Sequence, residues 1–223
     1  MRQLFKDRTE AGRKLAAALR RHAGGDVIVL GIPRGGVVVA AEVARELAAP
    51  LDVVITRKIE APGEPEYALG AVTQDGEAIL DSQAAEALGA SKAYLEEQVR
   101  QKREEVKERV LRLRGAEPYP SLEGKRVIVV DDGVATGSSM GAAVMSVRKR
   151  NPKEVIVAVP VAPMGVVQSL QGDGIDVVCL ETPDEFLAIG EFYSEFDQVE
   201  DAEVKRVLEE SRSGAPKRGS LGK

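Results

Sequence analysis

Short unbroken apolar runs alternate along the chain with longer segments whose apolar residues recur every three or four positions. Val27 to Leu30 is a run of the first kind, suited to a strand buried on both faces; Leu51 to Thr56 reads as a second buried strand, and further strands are expected at Arg126 to Val130, Glu154 to Val159 and Asp176 to Leu180. Helical spacing predicts the connecting elements. Thr9 caps a first helix through about His22, with Leu15, Ala16 and Leu19 on one face and Gly24-Gly25 ending it. Val37 to Ala48 reads as a second helix. Ser91 precedes a long charged helix to about Arg114, whose apolar stripe is Leu95, Val99, Val106, Val110 and Leu113. Further helices are expected over Ser138 to Arg150, Met164 to Leu170 and about Asp201 to Glu210. Short strands at Ala68 to Thr73 and Ala78 to Leu80 flank the turn Gln74 to Glu77. Arg57 to Glu66 is polar, with two prolines and a glycine, and is expected to be a mobile loop.

Strands alternating with helices predict an α/β fold, a Rossmann-like, mostly parallel sheet flanked by helices on both faces. Ligands of such sheets bind beyond the carboxyl ends of the strands, so the loops after Leu30, Thr56 and Val130 should converge. Residues 1–210 read as one domain, and the polar, Gly/Ser-rich, basic stretch 211–223 as a disordered tail.

Composition narrows the function classes. With 43% hydrophobic and 30% charged residues the 223-residue chain is of globular type. No apolar run approaches the roughly 18 residues of a membrane span. Met1 to Asp7 lacks the apolar stretch of a signal peptide, so the expected location is cytoplasmic, with no membrane partner. A net charge of -5 exerts no general pull on nucleic acid. Cys179, the one cysteine, lies in an apolar run and reads as an inert buried thiol, and the one histidine, His22, as a helix-end charge or solvated residue. Triads and metal sites built on histidine are thereby disfavoured.

The chemistry concentrates in Val127-Ile128-Val129-Val130-Asp131-Asp132-Gly133-Val134-Ala135-Thr136-Gly137-Ser138-Ser139. An apolar strand leads through two acids and a loop of small residues into a helix start. Gly133 and Gly137 permit close approach, and Ala135 to Ser139 can aim N–H groups and hydroxyls at a phosphate on the positive end of the helix. Two acids beside a phosphate cradle suit a ligand that carries hydroxyls or a metal ion next to its phosphate, as a ribose 5-phosphate does. The alternative is that the acids merely cap a turn. No GxxxxGK[ST] occurs, which disfavours a P-loop hydrolase. Gly31-Ile32-Pro33-Arg34-Gly35-Gly36, one strand earlier, offers N–H groups and a guanidinium to a second anion, or is plain strand-to-helix punctuation.

Val127 to Ser139 resembles the 13-residue phosphoribosyl-diphosphate signature of the type I phosphoribosyltransferases, and the similarity of element order extends from Gly31 to about Asp201. The resemblance implies that Asp131 and Asp132 hold the ribose hydroxyls of 5-phosphoribosyl 1-diphosphate (PRPP), directly or through Mg2+, and that Gly133, Val134, Ala135, Thr136, Gly137, Ser138 and Ser139 hold its 5-phosphate. It assigns Pro33, Arg34, Gly35, Gly36, Arg57 and Lys58 to the diphosphate, the last two at the root of a flexible lid. Arg34, Lys58, Asp131 and Asp132 are the catalytic candidates; Glu60, Glu64 and Glu66 are open candidates for proton transfer. Several purine-converting members carry a third acid directly before the Thr-Gly pair. Ala135 stands there, as alanine does in adenine and uracil transferases, which sets the chain apart from a hypoxanthine- or guanine-type mechanism.

The family also covers its acceptor with a variable C-terminal hood, here about 181–200. Four of the eight Phe and Tyr residues fall in it, and Phe186, Phe192 or Tyr193 could stack on a planar base or simply pack the segment onto the core. The function implied is transfer of the phosphoribosyl group to a nitrogen acceptor, a nucleobase or similar heterocycle. A PRPP- or nucleotide-sensing protein without turnover is the alternative; PRPP synthesis would need an ATP site that the sequence does not show. The long helix from Ser91 serves either a homodimer contact or an outer solvated face.

Overall fold

The computed structural model describes residues 3–115 and 117–214. The apolar runs form five parallel strands, Val27–Gly31 (β1), Leu51–Val53 (β2), Arg126–Val130 (β6), Glu154–Val161 (β7) and Asp176–Glu181 (β8), in the spatial order β2-β1-β6-β7-β8. Side chains alternate between two apolar layers. Val29, Ile128 and Ile156 join one, and Ile28, Val127 and Val157 the other. Leu15 and Leu19 of helix α1 (Arg8–Leu19) and Val39 and Val43 of α2 (Gly35–Glu46) complete the first layer. Met140 and Val144 of α5 (Ser138–Arg148) and Val167 and Leu170 of α6 (Met164–Gly172) complete the second. The expected helix-flanked α/β sheet is therefore present.

Register fixes where the loops emerge. Gly31 pairs with Val53 on one side and with Val130 on the other, so β1, β2 and β6 end level and their loops leave side by side. The second apolar run is shorter than expected: β2 stops at Val53, and Thr56 already belongs to another sheet.

That second sheet corrects the expected loop over Arg57 to Glu66. Thr56–Ala61 (β3) and Glu64–Thr73 (β4) form an antiparallel hairpin, joined by Ala78–Leu80 (β5). Its turn holds Pro62 and Gly63, and Gly63 takes φ 77°. Ile59, Ala61 and Leu69 are buried, a period-two pattern that polar Lys58 and Glu60 interrupt on the opposite face. A short helix, α3 (Ser82–Ala87), follows, capped by Asp81. The long helix α4 (Lys92–Arg114) packs on the hairpin, with Ser91 accepting from Tyr94 N–H at its start as expected.

Other boundaries shift slightly. Asp7 rather than Thr9 caps α1, because its carboxylate accepts from Glu10 N–H at 2.7 Å. His22 is buried and accepts from Arg21 Nε at 2.9 Å, which corrects its reading as a helix-end charge; burial lowers its pKa. The last helix, α7 (Asp201–Gly214), takes in four residues of the expected tail, and residues 215–223 lie outside the described residues. Among the described residues no helix is long and apolar enough to cross a membrane.

Candidate functional site

The three level strand ends bring the predicted site segments together. Gly137, in the left-handed region at φ 84°, opens α5, whose first-turn N–H groups have no partner within the helix. Thr136 and Ser138 hydroxyls lie 3.2 Å apart beside them, and Ala135, Thr136 and Ser139 are exposed. Val134 is buried, its N–H donating to Val161 O, and Gly133 packs against Ile189. The segment 135–139 thus has the form of an open anion cradle, with 133 and 134 as its floor.

The acids lie between this cradle and the start of α2. Asp132 N–H donates to Asp131 Oδ1 at 2.9 Å. Burial and the adjacent Asp132 charge raise the Asp131 pKa well above the usual carboxylate range. Asp132 accepts from Arg8 Nε at 2.7 Å, both side chains being 12% exposed, and its carbonyl accepts from the Tyr193 hydroxyl at 2.6 Å. Arg8 is itself fixed, donating to Asp197 O and stacking 3.7 Å above the Phe196 ring. Arg8 is absent from the sequence candidates. Its partner is distant along the chain, and no local pattern marks it.

Gly35 and Gly36 make the close approach possible. A Cβ on Gly35 would stand 1.9 Å from Asp132 Oδ2, and one on Gly36 2.7 Å from Asp131 Oδ1. The Pro33–Arg34 peptide bond is cis. Arg34 leads into α2, its guanidinium 3.9 Å from Asp201 at the start of α7.

A cavity of about 250 Å³ opens beside these loops, lined by Ile32 and Pro33 after β1, Val54 and Ile55 after β2, Arg57, Lys58 and Glu60 on β3, and Ser139 of α5. Lys102 and Arg109 of α4 complete the lining. Arg57 pairs with Glu105 at 3.1 Å, Lys58 with Glu60 at 3.7 Å and Lys102 with Glu105 at 3.1 Å. Lys102 and Arg109 are also absent from the sequence candidates, although each falls three positions after a buried valine, Val99 and Val106, which places them beside the buried stripe.

The aromatic candidates divide. Phe192 and Tyr193 are each 3% exposed, packed with Phe5 from the other end of the chain, and this corrects the expectation that either ring stacks on an acceptor. Their enclosure comes from the N-terminal strand-like segment: Phe5 bridges Tyr193, and Leu4 and Phe5 N–H groups donate to Phe192 O. Phe186 is half-buried, its ring 4.9 Å from that of Phe192. Cys179 donates to Glu181 O, and burial raises its pKa, as suits an inert thiol.

For a divalent cation, the described residues hold no cluster of three or more His, Cys, Asp or Glu fit to cage it. Magnesium does not need one: it keeps several waters and takes one or two carboxylates together with substrate oxygens. Asp131 and Asp132, adjacent at the cleft, fit that smaller donor set.

Known proteins with this arrangement point the same way. A family model, the phosphoribosyl transferase domain, matches residues 3–193. Two Mycobacterium tuberculosis proteins, from strains CDC 1551 and H37Rv and carrying provisional phosphoribosyl transferase names, are each 38% identical over 219 residues, covering 98% of this chain and 49% of theirs. The chain thus spans about half the length of the curated relatives it matches. A crystal structure of a Thermus thermophilus protein is 45% identical, covers 94% of this chain and 99% of its own, and superposes with a TM-score of 0.87. With the signature strand, cradle and paired acids lying inside the matched span, the chain belongs to the phosphoribosyl transferase domain family.

Proposed function

We propose that the protein transfers the 5-phosphoribosyl group of PRPP to a nitrogen of a planar heterocycle, releasing diphosphate. The observation that carries this reading is the convergence of an anion cradle at 135–139, two adjacent carboxylates and a cationic cavity at three level strand ends. The 5-phosphate would occupy the cradle, Asp131 and Asp132 the ribose hydroxyls, and Pro33 to Gly36 with Arg57 and Lys58 the diphosphate. The bond from C1 of ribose to the diphosphate oxygen breaks as the acceptor nitrogen bonds to C1, and the diphosphate leaves with the bonding pair. The acceptor proton passes to solvent or to a carboxylate of the cleft.

Such a reaction passes through an oxocarbenium-like sugar and needs no enzyme nucleophile, which accords with a single His and an inert Cys. Arg34, Arg57 and Lys58 stabilise the charge that develops on the leaving group, while cradle and acids hold the sugar in line. Bound Mg2+, held by Asp131 and Asp132 with substrate oxygens, would supply further neutralisation of the diphosphate.

A second reading, PRPP sensing without transfer, is favoured by one observation: Asp132 already commits an oxygen to Arg8. Diphosphate release from PRPP and Mg2+ with a panel of purines, pyrimidines and pyridine carboxylates separates the two. Release with at least one acceptor is expected. Tight PRPP binding with no turnover on any would establish sensing, and no PRPP binding would overturn both.

A further inference from the structure

The cavity carries more positive charge than the loops around it supply. Arg57 and Lys58 of β3 line it, and α4 adds Lys102 and Arg109, while Arg34 and Arg112 stand nearby at Asp201. Among the described residues, the carboxylates that pair with these cations include Glu60, Glu105 and Asp201. Glu105 and Asp201 are each shared by more than one cation, and this imbalance is local in a chain whose net charge is -5.

Arg109 is the most exposed to this imbalance. Its side chain is 20% exposed, and among the described residues its counter-charge, Asp201 at 4.0 Å, is shared with Arg34 at 3.9 Å and Arg112 at 3.3 Å. Burial lowers the Arg109 pKa, and the charges of Arg57, Arg34 and Arg112 act in the same direction. A desolvated guanidinium among three others is an unfavourable arrangement that a polyanion would relieve. Lys102, one heptad earlier on α4, lines the same cavity with its side chain 18% exposed. The helix is anchored where it presents them: Tyr94 OH donates to Glu60 O, and the Arg114 guanidinium makes a two-point contact with Asp52.

We infer that α4 forms a wall of the leaving-group subsite, Lys102 and Arg109 binding the diphosphate of the donor together with Arg57 and Lys58 of β3, so that one chain completes the subsite. This rests on the PRPP reading above. A diphosphate, with two phosphoryl groups, carries more negative charge than a lone monophosphate and better suits a lining that holds Arg57, Lys58, Lys102 and Arg109. The cavity also joins the lining of the first-strand loop to Ser139, so a ligand extending from the cradle reaches α4 without leaving it.

Calorimetric titration of the full chain with inorganic diphosphate and, separately, with ribose 5-phosphate tests the inference. Arg109→Met and Lys102→Met are compared with Arg100→Met, whose arginine pairs with Glu97 on an exposed part of α4. Diphosphate affinity is expected to fall at least about tenfold in the first two and to hold within about twofold in the third, with ribose 5-phosphate affinity unchanged in all. The ligand-free melting temperature of Arg109→Met is expected to match or exceed that of the parent, because a desolvated, crowded cation has been removed. Parent-like diphosphate affinity in Arg109→Met and Lys102→Met overturns the inference and leaves the PRPP reading standing. Equal loss of both ligands also overturns it, as damage to the whole cleft. Failure of the unaltered protein to bind either ligand overturns the PRPP reading itself.

Discussion

Asp132 is the residue on which the cleft and the C-terminal segment meet. Its carboxylate takes Arg8, its carbonyl takes Tyr193, and Gly35 leaves no room for a side chain against it. Arg8→Met would strand a mostly buried carboxylate without its partner, and loss of about 3 kcal/mol of unfolding free energy is expected in urea titration. PRPP-dependent diphosphate release should fall roughly 100-fold, since small displacements of a positioning group cost about that much. Adding Asp132→Asn to Arg8→Met should restore part of the stability and none of the turnover; additive losses would show that the pair is not coupled. None of this coupling is legible in the sequence. The acids, the glycines and the small-residue cradle announce themselves because each is a local requirement of one loop, whereas Arg8 is chosen by a contact 124 residues away.

Among elements, β1, β6 and β7 of the parallel sheet are the most legible, because burial on both faces leaves a run of apolar residues in each. The β3–β4 hairpin is not, because one of its faces lines a polar cleft. Arg57, Lys58 and Glu60 there look like loop chemistry, and only Ile59 and Ala61 report the buried face. The existence of α4 is legible but its purpose is not, since a basic residue beside an apolar stripe reads as solvated until its neighbours in space are known. What seats α4 is the buried pair Arg114–Asp52, at 2.7 and 2.8 Å, with Arg114 also donating to the carbonyls of Glu117 and Pro118. Asp52→Ala would leave that guanidinium buried with two carbonyls and the Tyr119 ring but without its counter-charge, and is expected to cost about 3–5 kcal/mol. If α4 forms the diphosphate wall, the same variant, still folded at low temperature, should bind diphosphate more weakly while its ribose 5-phosphate affinity is kept; equal affinity for diphosphate would show that α4 holds its place without the pair.

Across the whole molecule, charge is separated in a way that the net value conceals. An overall charge of -5 suggests a protein that repels polyanions, yet Arg57, Lys58, Lys102 and Arg109 all line the cavity beside α4, with Glu60 as the carboxylate among them. On the proposed function, a diffusing PRPP is repelled by the overall negative charge and attracted at this opening, and the balance depends on how far each field reaches. At about 0.01 M ionic strength the Debye length is roughly 30 Å and the two fields overlap; at about 1 M it is roughly 3 Å and only the lining acts. Local attraction in a partly enclosed cleft outlasts the diffuse repulsion as salt rises, but it too is finally screened. The association rate of PRPP, followed by stopped flow, is accordingly expected to fall about tenfold or more between those limits, and the dissociation rate to change much less, because contacts made inside the cavity are least screened. Arg109→Met should flatten the salt dependence of association, having removed one cation from the focus. A PRPP association rate that ignores salt in the unaltered protein would mean that the cleft's charges serve the fold alone.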